Sequence, residues 1–268
     1  MKKTRFILFL FTSIVLASCQ EVGTEMIDVN DSIEYENVYE PDQRALEIDR
    51  HIEMIDANFE LRIYSSLEYM NGDGQLYEVH AYRDTIDTNF LKIIEYTSAK
   101  LTGTLQSNTF YYKKGKKVAS RELSEEGGEG DLHFVERLTY YDDNEEKIVT
   151  KERTAEYEEQ LEDAAFIVGS PNDLLADRAN RALNQSEEFA PLFEGFVEGE
   201  EGDLYLVVGD NKPNGYTSAL LVQSRNGLVD RMYKDPDAYK GKQLSIAFSK
   251  EMSPDGNYQL LYGASLVE

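Results

Sequence analysis

The chain has 268 residues, with 27 Lys and Arg against 51 Asp and Glu, for a formal charge of −24 at pH 7. Lys2, Lys3 and Arg5 give the first 18 residues +3, so the remainder carries −24 − 3 = −27; this argues against nucleic acid and anionic lipid headgroups as partners, since both need a cationic surface. Eighteen Tyr and twelve Phe without a Trp point to β structure.

The first element is Met1-Lys2-Lys3-Thr4-Arg5, followed by an apolar run from Phe6 to Ala17 broken only by Thr12 and Ser13. A basic start, a short apolar stretch and small residues before a cut mark a signal peptide over residues 1–18. The run is shorter than the roughly 20 residues a spanning helix needs. It ends in Leu16-Ala17-Ser18-Cys19, which resembles the lipobox of bacterial envelope lipoproteins, Leu-Ala/Ser-Gly/Ala-Cys. The resemblance implies a diacylglyceryl thioether on Cys19, cleavage before it by signal peptidase II, and acylation, typically with palmitate, of the new amine. Two or three acyl chains make a lasting anchor where one does not. Cys19 is the one cysteine of the chain, so once it is lipidated no thiol remains for disulfides, redox chemistry or metal. Gln20 stands where inner-membrane lipoproteins often carry Asp, and by resemblance this favours the outer membrane. No later apolar run approaches a membrane span, so a water-soluble body on a membrane anchor is expected.

Residues 20–40 hold seven acidic residues and no basic one. Like charge and low hydrophobicity make residues 19–40 an expected disordered tether, roughly 70 Å long if stretched at about 3.3 Å per residue. Pro41 then opens an expected helix to Phe59, because Ala45, Ile48, Ile52, Ile55 and Phe59 recur at steps of three and four.

Between residues 76 and 155 the texture becomes a series of β-type runs: Leu76–Tyr82, Leu91–Ser98, Thr104–Tyr112, Lys117–Glu122, Leu132–Tyr141 and Lys147–Thr154. Short polar connections suit an antiparallel meander. Two of its hairpins echo each other. Tyr111-Tyr112 leads into a basic turn holding Lys113, Lys114, Lys116 and Lys117, and Tyr140-Tyr141 leads into the acidic turn Asp142-Asp143-Asn144-Glu145-Glu146. The opposite charges allow tip-to-tip pairing or two different partners, and the four lysines are a candidate binding knob for an anionic group.

Residues 156–190 read as two short helices about Gly169-Ser170-Pro171, with residues 169–190 linking a first domain (41–168) to a second (191–268). The second shows five β-type runs, a short insert after the third at Gly227–Tyr233, and Tyr239-Lys240-Gly241-Lys242 before the fourth. This pattern resembles an OB-fold, which implies a small C-terminal barrel; a small sandwich is the alternative. Seven basic against twelve acidic residues from Pro191 onward oppose single-strand binding. The expected class is α+β: a helix on an antiparallel meander, then the barrel.

Chemical motifs are sparse. His51, His80 and His133 have no second His or Cys at metal spacing. Gly263-Ala264-Ser265-Leu266-Val267 fails the nucleophile-elbow pattern at its last position. The clusters Asp142–Glu146 and Glu198–Asp203 lack the order of a calcium loop. No catalytic residue, metal site or cofactor is assigned. The expectation is a non-enzymatic, membrane-anchored envelope lipoprotein that binds an envelope protein or other envelope component, or a cationic partner. The rival is an envelope hydrolase with an acidic pair that sequence does not identify, favoured if a buried carboxylate pair lies in a cleft.

Overall fold

The computed structural model describes residues 42–267 except 87, 99–102, 129, 200–201, 211, 213–214, 226 and 254–255, all within the compact unit Glu36–Glu268. Its first helix, α1 (Gln43–Asp56), begins where the Asp42 side chain accepts a hydrogen bond from Ala45 N at 2.7 Å. A carboxylate in that place satisfies one of the orphan N–H groups of the first turn. The predicted stripe Ala45, Ile48, Ile52 and Ile55 is buried, but Phe59 is 97% exposed. The helix stops a turn early because Asn58 redirects the chain, its side chain accepting from Glu60 N at 3.0 Å.

Two short strands that the patterning did not predict follow, β1 (Arg62–Ser65) and β2 (Tyr69–Asn71). The six expected runs of the meander then appear as β3 (Leu76–Arg83), β4 (Lys92–Ser98), β5 (Leu105–Lys113), β6 (Lys116–Glu126), β7 (His133–Tyr141) and β8 (Lys147–Ala155). Each pairs antiparallel with the next. The β5–β6 turn needs only Lys114 and Gly115, both at positive φ (54° and 78°), the backbone that matches strand twist in a two-residue hairpin. Residues Glu158–Asp163 make a 3-10 turn, and β9 (Ile167–Val168) ends this side of the sheet.

The segment expected as a linker carries α2 (Asp177–Leu183), whose Ala179 and Ala182 are buried. It also carries Phe189, which stacks between Tyr77 and Tyr216 at 5.1 and 4.6 Å. Then come β10 (Phe193–Glu198), β11 (Leu204–Gly209), β12 (Tyr216–Val222), the insert helix α3 (Gly227–Lys234), β13 (Leu244–Ser253) and β14 (Gly256–Leu266).

All fourteen described strands belong to one sheet, in the order β10-β11-β12-β2-β3-β4-β5-β6-β7-β8-β9, with β1 on β3, β14 on β12 and β13 on β14. The mostly β content with few helices is compatible with the expected α+β class. The sheet is not closed, so a small C-terminal barrel is not shown. The reason is at β12. Its first residues pair antiparallel with β2 (Tyr216↔Asn71, Thr217↔Met70), and its last pair parallel with β14 (Leu221↔Leu260, Val222↔Leu261). A strand shared in this way ties the C-terminal strands to the meander instead of closing them on themselves.

Two cores lie against the sheet. The larger joins Tyr69, Tyr77, Val79 and Phe110 of the meander to Leu206, Leu220, Met232 and Leu244 of the C-terminal strands and α3. The smaller sits under α1, with Ile48 and Ile52 over Val118, Leu138 and Tyr140. Polar contacts pin the edge of α1: Tyr140 Oη donates to Asp49 (2.6 Å), Tyr111 Oη to Asp56 (3.0 Å), and Lys92 pairs with Asp56 at 2.9 Å.

Candidate functional site

Where β12 changes partner, the sheet forks. Gln259 of β14 sits in the fork, accepting from Glu68 N at 2.6 Å and donating to Ser218 Oγ at 3.0 Å. Beyond the fork β1 and β13 diverge, and a cavity of about 600 Å³ opens between them. Its walls are three successive residues of each strand, Ile63-Tyr64-Ser65 and Phe248-Ser249-Lys250, with Phe90, Asn180, Leu183 and Asn184 completing it. That size lies within the range of ordinary ligand sites.

The sequence builds each wall for a local reason. Arg62-Ile63-Tyr64-Ser65 places two β-prone residues, Ile63 and Tyr64, side by side, and Tyr64 meets Phe90 edge-on at 6.1 Å. α2 buries Ala179 and Ala182 against the larger core, which leaves Asn180 and Asn184 on its exposed side beside the cavity. Both carboxamides are open to solvent, whereas the Ser249 hydroxyl is buried and has no hydrogen-bond partner among the described residues. Buried polar groups are normally paired, so an unpaired one lining a cavity is informative.

Behind the cavity, Lys250 leads into a half-buried polar cluster. The Glu78 carboxylate bonds both Lys250 Nζ and His80 Nε2. Burial pushes Lys250 down from its ordinary range, with the Glu78 charge opposing. Burial would raise Glu78, but the His80 and Lys250 contacts together hold it below its usual range. Glu68 is raised, first by burial and then by the neighbouring Glu78 charge. The cluster therefore holds two carboxylates displaced in opposite directions.

The sequence-predicted residues fall as follows. Leu16, Ala17, Ser18 and Cys19, with the tether to residue 40, lie outside the described residues. The four lysines are divided in role. Lys116 Nζ donates to Asp143 O (2.6 Å), and Lys117 N donates to Glu145 Oε1 (2.7 Å). The basic and acidic hairpin tips thus touch each other. Lys117 Nζ reaches Leu174 O at 3.0 Å and lies over the Tyr141 ring. Lys113 and Lys114 are exposed and lack a side-chain partner among the described residues; with Arg44, Asp142 and Asp143 they border a separate cavity of about 460 Å³. The three histidines are apart: His51 contacts Tyr112 O (3.0 Å), His80 contacts Glu78, and His133 lies near Asp131 O (3.4 Å). β3 and β7 are separated by three strands, so His80 and His133 do not face each other.

Sequence reading missed the groove because each contribution is local and short. The β-prone pair Ile63-Tyr64 is its one visible signal, and a four-residue strand is too short to stand out from a loop. Among the described residues no cluster of His, Cys, Asp and Glu is placed to hold a metal ion, and no helix is long and apolar enough to cross a membrane. Comparison with protein-family models, with curated proteins and with solved structures gives no match.

Proposed function

We propose that this chain is a non-enzymatic lipoprotein of the bacterial cell envelope, held at the outer membrane through Cys19, and that it binds an envelope protein or other envelope component in the groove between β1 and β13. The anchor rests on the sequence Leu16-Ala17-Ser18-Cys19. The binding role rests on one observation above the rest: a cavity of about 600 Å³ is bordered by two strands and by the Ser249 hydroxyl, which is buried without a hydrogen-bond partner among the described residues. Burying a hydroxyl without a partner is costly unless something from outside meets it.

Both parts have a test. Cys19→Ser should abolish acyl labelling and leave uncut precursor; a labelled variant would overturn the anchor. For the groove, Asn180→Trp with Asn184→Trp fills the opening from the exposed side of α2. Material captured from detergent-solubilised membranes by the wild-type protein should drop severalfold with this variant, and equal recovery would remove the groove from the proposal.

A second reading, an envelope hydrolase, has one observation in its favour, the oppositely displaced carboxylates Glu68 and Glu78 beside Lys250. Paired carboxylates of unlike pKa are the arrangement acid–base hydrolysis uses. Its test is hydrolysis of a panel of chromogenic glycosides, lost on Glu68→Gln; turnover that disappears in that variant would displace the binding reading.

A further inference from the structure

The inference here rests on the groove reading above and concerns what enters the groove. We propose that the groove takes one extended segment of a partner polypeptide, added as a strand along β1, with a carboxylate side chain of that segment meeting Arg62 and Arg83.

The backbone of β1 carries the first part. Among the described residues β1 pairs only with β3, in the register Arg62↔Arg83, Ile63↔Tyr82, Tyr64↔Ala81, Ser65↔His80. Ser66 N donates to Val79 O at 2.8 Å. In an antiparallel pair, alternate residues give both N–H and C=O to the partner, and those between direct both away. Ser66, Tyr64 and Arg62 therefore serve β3, whereas Ile63 and Ser65 turn their peptide groups outward into the groove they line. Such an edge is a template for another strand.

The opposite wall shows what the groove is fitted to hold. On β13, Ile246 is bonded by the side chain of Gln185, which donates to Ile246 O at 3.2 Å and accepts from Ile246 N at 3.4 Å. A carboxamide offers the same donor and acceptor as a peptide group, so Gln185 stands in for one residue of a neighbouring strand. Two residues further along, where the groove begins, no such stand-in is present among the described residues. There the Ser249 hydroxyl is buried without a partner among the described residues, and the exposed carboxamides of Asn180 and Asn184 border the same opening. Polar groups of peptide type thus face peptide edges, between apolar side chains such as Ile63, which is 60% exposed. A small apolar ligand would leave the Ser249 hydroxyl and the outward peptide groups of β1 unpaired.

Charge selects the side chain. Arg62 and Arg83 lie directly opposite each other, and like charges in that relation repel. Arg83 is bonded to Tyr64 Oη and lies over the Tyr64 ring, 4.2 Å from its centroid. Neither arginine has a carboxylate partner among the described residues, on a chain of net charge −24. That charge disfavours a second copy as the occupant. A partner strand beside β1 brings a side chain alongside Arg62, and an Asp or Glu there neutralises the pair.

The test uses the full-length protein and a display library of random ten-residue peptides. Selected binders should be enriched in Asp or Glu, and Arg62→Gln should weaken them roughly tenfold, the equivalent of about 1.4 kcal/mol. A scan of single backbone N-methylations should then show strong loss at every second residue and little between, since only alternate N–H groups face β1. Ser65→Pro removes an outward N–H without touching the bonds to β3 and should also abolish binding. Because the N-methyl scan is made on the wild-type protein, it decides the matter even if Ser65→Pro does not fold. Peptides that tolerate methylation at every position, or a library with no binder, would overturn strand addition. Membrane capture that still depends on the groove would then leave the broader binding reading standing, which separates the two failures.

Discussion

At the scale of single residues, Gln259 has a larger role than its polar surface character suggests. It fills the fork with one carboxamide, bonding Glu68 N and Ser218 Oγ and lying 3.3 Å from Glu68 O and Ala219 O. Replacing it with Leu removes the partner of the part-buried Glu68 N–H, and a lost hydrogen bond of this kind costs about 0.5–1.5 kcal/mol. Urea unfolding of Gln259→Leu should show a loss in that range; an unchanged midpoint would mean that water replaces the carboxamide without cost. A second residue-scale expectation concerns acid. Arg137 holds Glu126, and Arg181 holds Glu188, below the usual carboxylate value of 4.5, each chiefly through a side-chain hydrogen bond. Glu78 is also lowered, its contacts with His80 and Lys250 outweighing burial. A carboxylate lowered in the folded state contributes stability that is present above its unfolded pKa and is lost as pH falls through the folded value. Glu68, raised mainly by burial, acts in the opposite sense and is more stabilising when protonated. Asp142, Asp173 and Asp210 are lowered as well, so lowered carboxylates outnumber the raised Glu68 and the melting temperature should fall as pH drops from 5 to 3. A rise over that interval would show that Glu68 dominates.

At the scale of elements, α1 offers a clean contrast. Ile52 is buried over the smaller core, whereas Phe59 of the same predicted stripe is almost fully exposed. Ile52→Ala should cost about 2–5 kcal/mol, and Phe59→Ser should stay within about 0.5 kcal/mol, as surface changes do. Comparable losses would place Phe59 in a contact not described here. The paired hairpins give another contrast. Lys116 and Lys117 are engaged with the acidic tip and with Leu174, so only Lys113 and Lys114 remain to meet anything outside. Lys113→Ser with Lys114→Ser should leave stability unchanged within about 0.5 kcal/mol, read by urea unfolding. A larger loss would show that these two lysines also belong to the hairpin contact.

At the scale of the whole molecule, one sheet and the larger core run through the meander and the C-terminal strands alike. Thermal unfolding should therefore be a single transition, with far-ultraviolet and tyrosine signals coinciding. Two separated transitions would instead support the division into residues 41–168 and 191–268 that the sequence pattern suggests. By itself the sequence determined the elements: the Ala45-Ile48-Ile52-Ile55 stripe, the six meander strands and the five C-terminal strands all lie within a few residues of where alternation and periodicity place them. Those signals are local, set by side chains two to four residues apart, and a linear pattern carries them faithfully. Only the tertiary structure decided that β12 is shared between β2 and β14, that Phe189 joins the larger core, and that β1 and β13 line one groove. These are pairings between residues far apart in the chain, such as Thr217 with Met70 and Gln259 with Glu68. They are fixed by which edges are left to bond once the local elements have formed, and no spacing along the sequence encodes that choice.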